Sequence, residues 1–88
     1  MSTGEAIKIT VRYFAAARAA AGVEDETLAV PVACTIEGLT RTLGELRPAL
    51  APVLSRCSFL VDEVAVRERA RALPDGSTVD VLPPFAGG

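Results

Sequence analysis

Only residues 35–46 of this 88-residue chain repeat their apolar side chains at helical spacing; most of the remaining apolar residues fall in short runs. Ile36, Leu39, Leu43 and Leu46 lie three and four positions apart, which gathers them on one face of an α-helix. Thr35 is suited to cap that helix, and Glu37 sits in its first turn, where a negative charge is favoured. Gly38 and Gly44 each weaken it by about 1 kcal/mol relative to alanine, so it depends on packing against a sheet, and Pro48 ends it.

The sheet is legible on either side. Ile7, Ile9, Val11 and Tyr13 alternate with Lys8, Thr10 and Arg12, the period of a half-buried strand. The alanine-rich residues 15–21 around Arg18 read as a short helical turn stopped by Gly22. After a solvated acidic turn, Glu24-Asp25-Glu26, Leu28 and Val30 alternate with Thr27 and Ala29 until Pro31, pairing hairpin-like with the first strand. Residues 49–54 read as a further helical piece after Pro48, and residues 58–61 and 64–66 as two short strands around Asp62-Glu63. Leu73-Pro74-Asp75-Gly76 is a turn, with proline at the second corner and glycine for a positive φ, leading into a strand from Thr78 to Leu82. The fold class is therefore α+β, a mixed sheet crossed by one main helix. One domain over residues 1–82 is followed by an extended tail, residues 83–88.

Composition removes several functions. Nine basic and eleven acidic residues are interspersed, so no basic stripe offers itself to phosphates and no nucleic-acid partner is expected. No charged-then-apolar leader and no membrane-length apolar run appear, which makes a cytoplasmic protein the expectation. Without histidine or a Cys-x-x-Cys pair there is no expected metal site, and Cys34 and Cys57 read as reduced packing residues. The Arg67 to Arg71 cluster reads as a solvated face, and Arg18 as a structural or rim contact.

What remains is the tail, Pro83-Pro84-Phe85-Ala86-Gly87-Gly88. Two prolines stiffen its exit, and six extended residues reach about 20 Å, enough to thread a partner's buried site. Paired glycines lack side chains, so a narrow channel admits Gly87 and Gly88 while its backbone groups approach them closely. A free carboxylate at Gly88 is ionised at neutral pH and is a poor electrophile. No histidine, no nucleophile–base arrangement and no phosphate-cradling glycine loop is present to activate it. The chain thus reads as a substrate with no bound cofactor, and acyl-adenylate formation with ATP on an outside enzyme is the natural route. An ordinary frayed end is the plainer reading of the same glycines.

The opening strand Ile7-Lys8-Ile9-Thr10-Val11-Arg12-Tyr13-Phe14, Arg18, the helix start Thr35-Ile36-Glu37-Gly38-Leu39, the Asp75-Gly76 turn and Leu82-Pro83-Pro84-Phe85-Ala86-Gly87-Gly88 together resemble one family. It is the small subunits of molybdopterin synthase, within the ubiquitin-like sulfur carriers that also include the thiamin sulfur carrier. The resemblance implies a ubiquitin-like β-grasp fold. It implies that an ATP-dependent adenylating and sulfurating enzyme joins AMP to Gly88 and that a thiocarboxylate then forms there. It further implies that the tail enters the large subunit of molybdopterin synthase, where its sulfur passes to a pyranopterin precursor in molybdenum cofactor biosynthesis. The carrier is by itself no enzyme but the sulfur-donating subunit of a sulfurtransferase. Partner contact is expected from Pro83, Pro84, Phe85 and Ala86 and from the sheet surface beside the last strand, with Phe85 as an aromatic anchor. Phe85 is bulkier than the family's pattern at that place, and Asp62-Glu63 lacks its usual glycine. The alternatives are a thiocarboxylate carrier for another pathway, such as cysteine, thiamin or tRNA thiolation, and a ubiquitin-like modifier joined through Gly88 to a target lysine.

Overall fold

The computed structural model describes residues 5–84. Strand β1, Ala6–Tyr13, buries Ile7, Ile9, Val11 and Tyr13 while Lys8 and Arg12 stay exposed, so the alternation read from sequence is the alternation of faces. Helix α1, Ala15–Ala21, is too short to persist in isolation. It is kept by burial of Ala17 and Ala21 and by Gly22, whose φ of 80° lets its N–H bond the Arg18 carbonyl at 2.9 Å. Strand β2, Asp25–Pro31, returns antiparallel to β1, with Ile7 opposite Val30 and Val11 opposite Glu26.

Helix α2, Ile36–Leu46, opens on Thr35, whose hydroxyl oxygen accepts from the Gly38 N–H at 3.0 Å. Ile36, Leu39 and Leu43 are buried. Leu46, expected on the same stripe, is 55% exposed: it belongs to the last turn, and Leu50, from the 3-10 turn Pro48–Leu50, fills the core there instead. The helix ends because Arg47 precedes Pro48 and is forced out of helical geometry, to φ −133° and ψ 87°. Helix α3, Ala51–Leu54, follows, and Gly44 allows the close crossing of α2 and α3, since a Cβ there would lie 3.4 Å from that of Ala51.

Strands β3, Ser58–Val61, and β4, Val64–Ala65, are joined by Asp62 and Glu63, both at positive φ (48° and 71°), the turn that two-residue hairpins prefer. Asp62 is held there by bonding Thr78 twice, through its N–H at 2.8 Å and through Oδ1 at 2.9 Å. Strand β5, Thr78–Leu82, runs parallel to β1 and antiparallel to β3, giving the order β2-β1-β5-β3-β4. The turn before β5 spans residues 74–77, closed by the Ser77 N–H on the Pro74 carbonyl at 3.2 Å. Pro74 is thus its first residue and not its second corner, while Gly76 carries the positive φ of 80° as expected.

The helices share one face of the sheet, and a single core unites Val11, Tyr13, Leu39, Leu43, Leu50, Phe59, Val79 and Val81. The chain has the ubiquitin-like β-grasp fold. No helix among the described residues is long and apolar enough to cross a membrane.

One acidic residue departs from the expected solvated turn. Glu26 already belongs to β2, where its alternating register turns it toward the core side. Its carboxylate accepts from Arg47 Nη2 at 2.8 Å, from Arg47 Nε at 3.0 Å and from the Tyr13 hydroxyl at 2.5 Å. The Arg47 fork also donates to the Ala21 carbonyl at 2.7 Å, tying α1, β1, β2 and the end of α2 together. The Arg47 bonds hold the Glu26 carboxyl below its ordinary range, while burial, with Glu26 beside it, pushes the Tyr13 hydroxyl far up.

Candidate functional site

The last strand delivers the tail. Because β5 is central in the sheet, with β1 on one side and β3 on the other, its end is anchored from both directions. Leu82 still pairs with Ser58; Pro83, just beyond, is buried, and Pro84 is exposed. Among the described residues the passage from body to solvent therefore falls between the two prolines. Phe85, Ala86, Gly87 and Gly88, on which the expected chemistry rests, lie outside the described residues.

Around this exit the sheet presents the face that the helices leave bare. Val11, Tyr13, Val79, Val81 and Phe59 point into the core, so their neighbours Arg12, Thr78, Asp80, Leu82 and Leu60 point the other way. Parallel pairing of β1 with β5 sets Arg12 directly beside Asp80. Their side chains meet in a fork, Nε to Oδ1 at 2.6 Å and Nη2 to Oδ2 at 2.8 Å. The Asp80 side chain is 6% exposed and that of Arg12 45%, so a covered carboxylate fixes a guanidinium whose edge stays open. The Asp80 hydrogen bonds raise the Arg12 pKa further, and the group is charged at every accessible pH. Arg12 also lies 5.8 Å from the centre of the Phe14 ring. Half-buried Phe14, Leu60 and Leu82 with one ordered ion pair form a surface suited to docking: apolar area for affinity, a fixed charge for orientation.

Expectations from sequence place this surface only as the sheet beside the last strand and give no docking role to Arg12, Phe14, Leu60, Asp80 or Leu82. The outward register of Arg12 is readable from the alternation of β1, but its partner lies 68 positions away and requires the β1–β5 pairing. Arg18 is exposed on α1. In the Arg67 to Arg71 stretch the residues are exposed, yet Arg69 is also structural: its Nη2 donates to the Cys57 carbonyl at 3.0 Å, and its guanidinium covers the Phe59 ring at 5.0 Å. The cysteines pack as expected. Cys57 is buried with its thiol on the Val53 carbonyl, Cys34 is half-buried, and burial pushes both thiols up, away from the reactive thiolate. Among the described residues no cluster of metal-ligating side chains occurs.

Comparison with known proteins follows the same outline. The ThiS family model matches residues 11–88. The molybdopterin synthase sulfur carrier subunit of Chlamydomonas reinhardtii is 35% identical over 83 residues, covering 93% of this chain and 100% of the relative. Among solved structures, a Pyrococcus furiosus protein provisionally named molybdopterin converting factor, subunit 1, superposes with a TM-score of 0.82 at 24% identity, over 90% of this chain and 99% of the other. The small archaeal modifier protein 1 of Methanosarcina acetivorans superposes with a TM-score of 0.80 at 24% identity, over 97% and 100%. At that identity the two structures speak for the fold.

Proposed function

The chain belongs to the ThiS family, and on that premise we propose that it is a sulfur carrier, the small subunit of a molybdopterin synthase. The observation that carries the reading is the exit from β5. A central strand locked on both sides ends beside a bare, partly apolar face, and the family match runs on from it through Gly87-Gly88. The relative of highest identity cited above is named as such a carrier subunit.

In this reading the Gly88 carboxylate attacks the α-phosphorus of ATP on an adenylating partner, and pyrophosphate leaves. A sulfur donor then displaces AMP, giving a thiocarboxylate, whose sulfur is a soft nucleophile. The large synthase subunit receives the tail, the thiocarboxylate sulfur bonds to a carbon of a pyranopterin precursor, and water then cleaves the acyl C–S bond, which leaves the sulfur on the precursor and restores the Gly88 carboxylate for another cycle. The described residues supply presentation and docking: β5 anchors the tail, Pro84 stiffens the exit from the body, and Arg12, Phe14, Leu60 and Leu82 meet the partner. Gly87 passes the channel, and Phe85 with Ala86 lines the contact at its mouth. The protein contributes no base of its own, holds no cofactor and acts in the cytoplasm, where its partner uses ATP.

The test is the intact mass of the protein with its native C-terminus, before and after incubation with ATP, an adenylating partner and a sulfur source. A gain equal to exchange of one oxygen for sulfur, mapped to Gly88, is the expected result. A protein that stays unchanged beside a partner proven active on another carrier defeats the proposal. A covalent adduct through a lysine of a second protein redirects it to a modifier.

A further inference from the structure

The two edges of the sheet differ in what they offer another strand. Strand β2 has Pro31, which donates no hydrogen bond, at one end and Asp25 at the other. Two copies pairing antiparallel about its central Leu28 set Asp25 against Pro31, with no charge attraction gained. Strand β4 is the opposite case. Val66, one residue past it, donates its N–H to the Phe59 carbonyl of β3 at 3.0 Å. Bonded and non-bonded pairs alternate along antiparallel strands, so Ala65, opposite Leu60, turns its N–H and C=O outward to the open edge. Val64 beside it is 68% exposed, the most exposed large apolar side chain among the described residues.

The residues around Ala65 read Glu63-Val64-Ala65-Val66-Arg67. About Ala65 this order is symmetric in its apolar residues and opposite in its charges. A strand that exchanges both hydrogen bonds with Ala65 in antiparallel register therefore finds its complement in the same segment of another copy. Ala65 meets Ala65, each Val64 meets a Val66, and each Glu63 comes beside an Arg67. The whole segment is exposed or half-buried, and among the described residues neither Glu63 nor Arg67 has an ion-pair partner. Behind the edge lies a groove of about 600 Å³, apolar inside at Ile36, Val61 and Leu73. Its rim sets Asp62 and Glu68 against Arg67 and Arg71, so no excess of charge selects a charged ligand there. What the edge carries is an order of charges, and that order is complementary to itself when the strand direction is reversed.

We propose that this protein self-associates through β4, two copies pairing antiparallel across a two-fold axis at Ala65. The axis passes between the exchanged hydrogen bonds and stands perpendicular to the sheet. It joins the two five-stranded sheets into one and sets the Arg12–Asp80 faces of both copies on the same side. Paired amides, valine contacts and exposed ion pairs over so short a segment make a weak dimer, formed at high protein concentration. Strand β3 separates this edge from β5, and the inference does not rest on the carrier reading.

The experiment compares the full chain with Glu63→Arg, with Arg67→Glu and with the double exchange that carries both. Sedimentation velocity up to millimolar protein gives the association, and backbone amide shifts of the isotope-labelled chain on dilution give its place. The unaltered protein is expected to dimerise, with shifts confined to residues 63–67 and the facing residues of β3. Each single exchange sets like charges against each other at both ends of the pairing and weakens the dimer by about tenfold or more. The double exchange restores it. Mixing the two single variants sets the arginines of one against the glutamates of the other and gives a mixed dimer that neither forms alone. Restoration by the double exchange and by mixing separates the charge pairing from any loss of fold in a single variant. An unaltered protein that stays monomeric at millimolar concentration, single variants that associate as it does, absence of restoration, or dilution shifts on β2 or the Arg12–Asp80 face instead would each overturn the proposal.

Discussion

Replacing Arg47 by alanine removes the clamp that joins α1, β1, β2 and the end of α2. Three hydrogen bonds disappear, two to the Glu26 carboxylate and one to the Ala21 carbonyl. Glu26 is left with only the Tyr13 hydroxyl in a place where its side chain is 18% exposed. Breaking a fully buried pair costs about 3–5 kcal/mol. Here the Arg47 side chain is 29% exposed and water screens part of the interaction, so about 2–3 kcal/mol is expected. For a domain of this size that is a fall in Tm of roughly 10–20 °C. The pH dependence gives a second, independent reading. Arg47 holds the folded-state pKa of Glu26 below its unfolded value, so the associated stability is complete above the unfolded pKa and is lost as pH falls through the folded one. The wild-type protein should lose stability on acidification below about pH 4.5, and the Arg47→Ala variant should lose measurably less over the same interval. Urea unfolding at a series of pH values measures both effects, with Arg47→Lys separating charge from the forked geometry. A loss below about 0.5 kcal/mol at neutral pH, or an unaltered acid slope, would refute the assignment of this network as a structural clamp.

Deletion of Gly88, or Gly87→Phe, should abolish sulfur loading and transfer while Tm stays unchanged; full activity of the truncated chain defeats the carrier reading. Phe85→Ala should weaken binding to the large subunit without altering stability, as checked by titration calorimetry. Charge inversion at Arg12→Glu sets a carboxylate against Asp80 and should reduce binding of a partner on the bare face, with unfolding measured in parallel to separate docking from sheet stability. Glu63→Gly should stabilise the protein by about 1 kcal/mol in urea unfolding, since Glu63 is held at φ 71°, where a side chain is disfavoured.

Much of the fold is legible because it is local. Alternation from Ile7 to Tyr13, the three- and four-residue spacing of Ile36, Leu39 and Leu43, the Thr35 cap and the two glycines at positive φ each express a preference of neighbouring residues. The errors are also instructive. Leu46 fits the helical stripe yet lies outside the core, because periodicity states which way a side chain points and not how far the sheet beneath it extends. Glu26 reads as a solvated charge in an acidic run, but β2 starts earlier than its apolar residues suggest and carries Glu26 to Arg47, which is 21 positions away. For the candidate site, the expectation rests on Pro83-Pro84 and Gly87-Gly88 alone, since the chemistry proposed for the tail requires only residue types in order.

By itself, then, the sequence determined the elements, the face most strands and helices would bury, and the glycine tail on which the proposed chemistry rests. Tertiary structure alone decided that β5 would lie centrally and parallel to β1, that Arg12 would meet Asp80 beside the tail, and that Arg67 and Arg71 would border a groove at the sheet edge. The physical reason is that a side-chain period of two specifies a face but not a neighbour. Which strands pair depends on burying one apolar surface common to the whole chain, a condition on all its residues together.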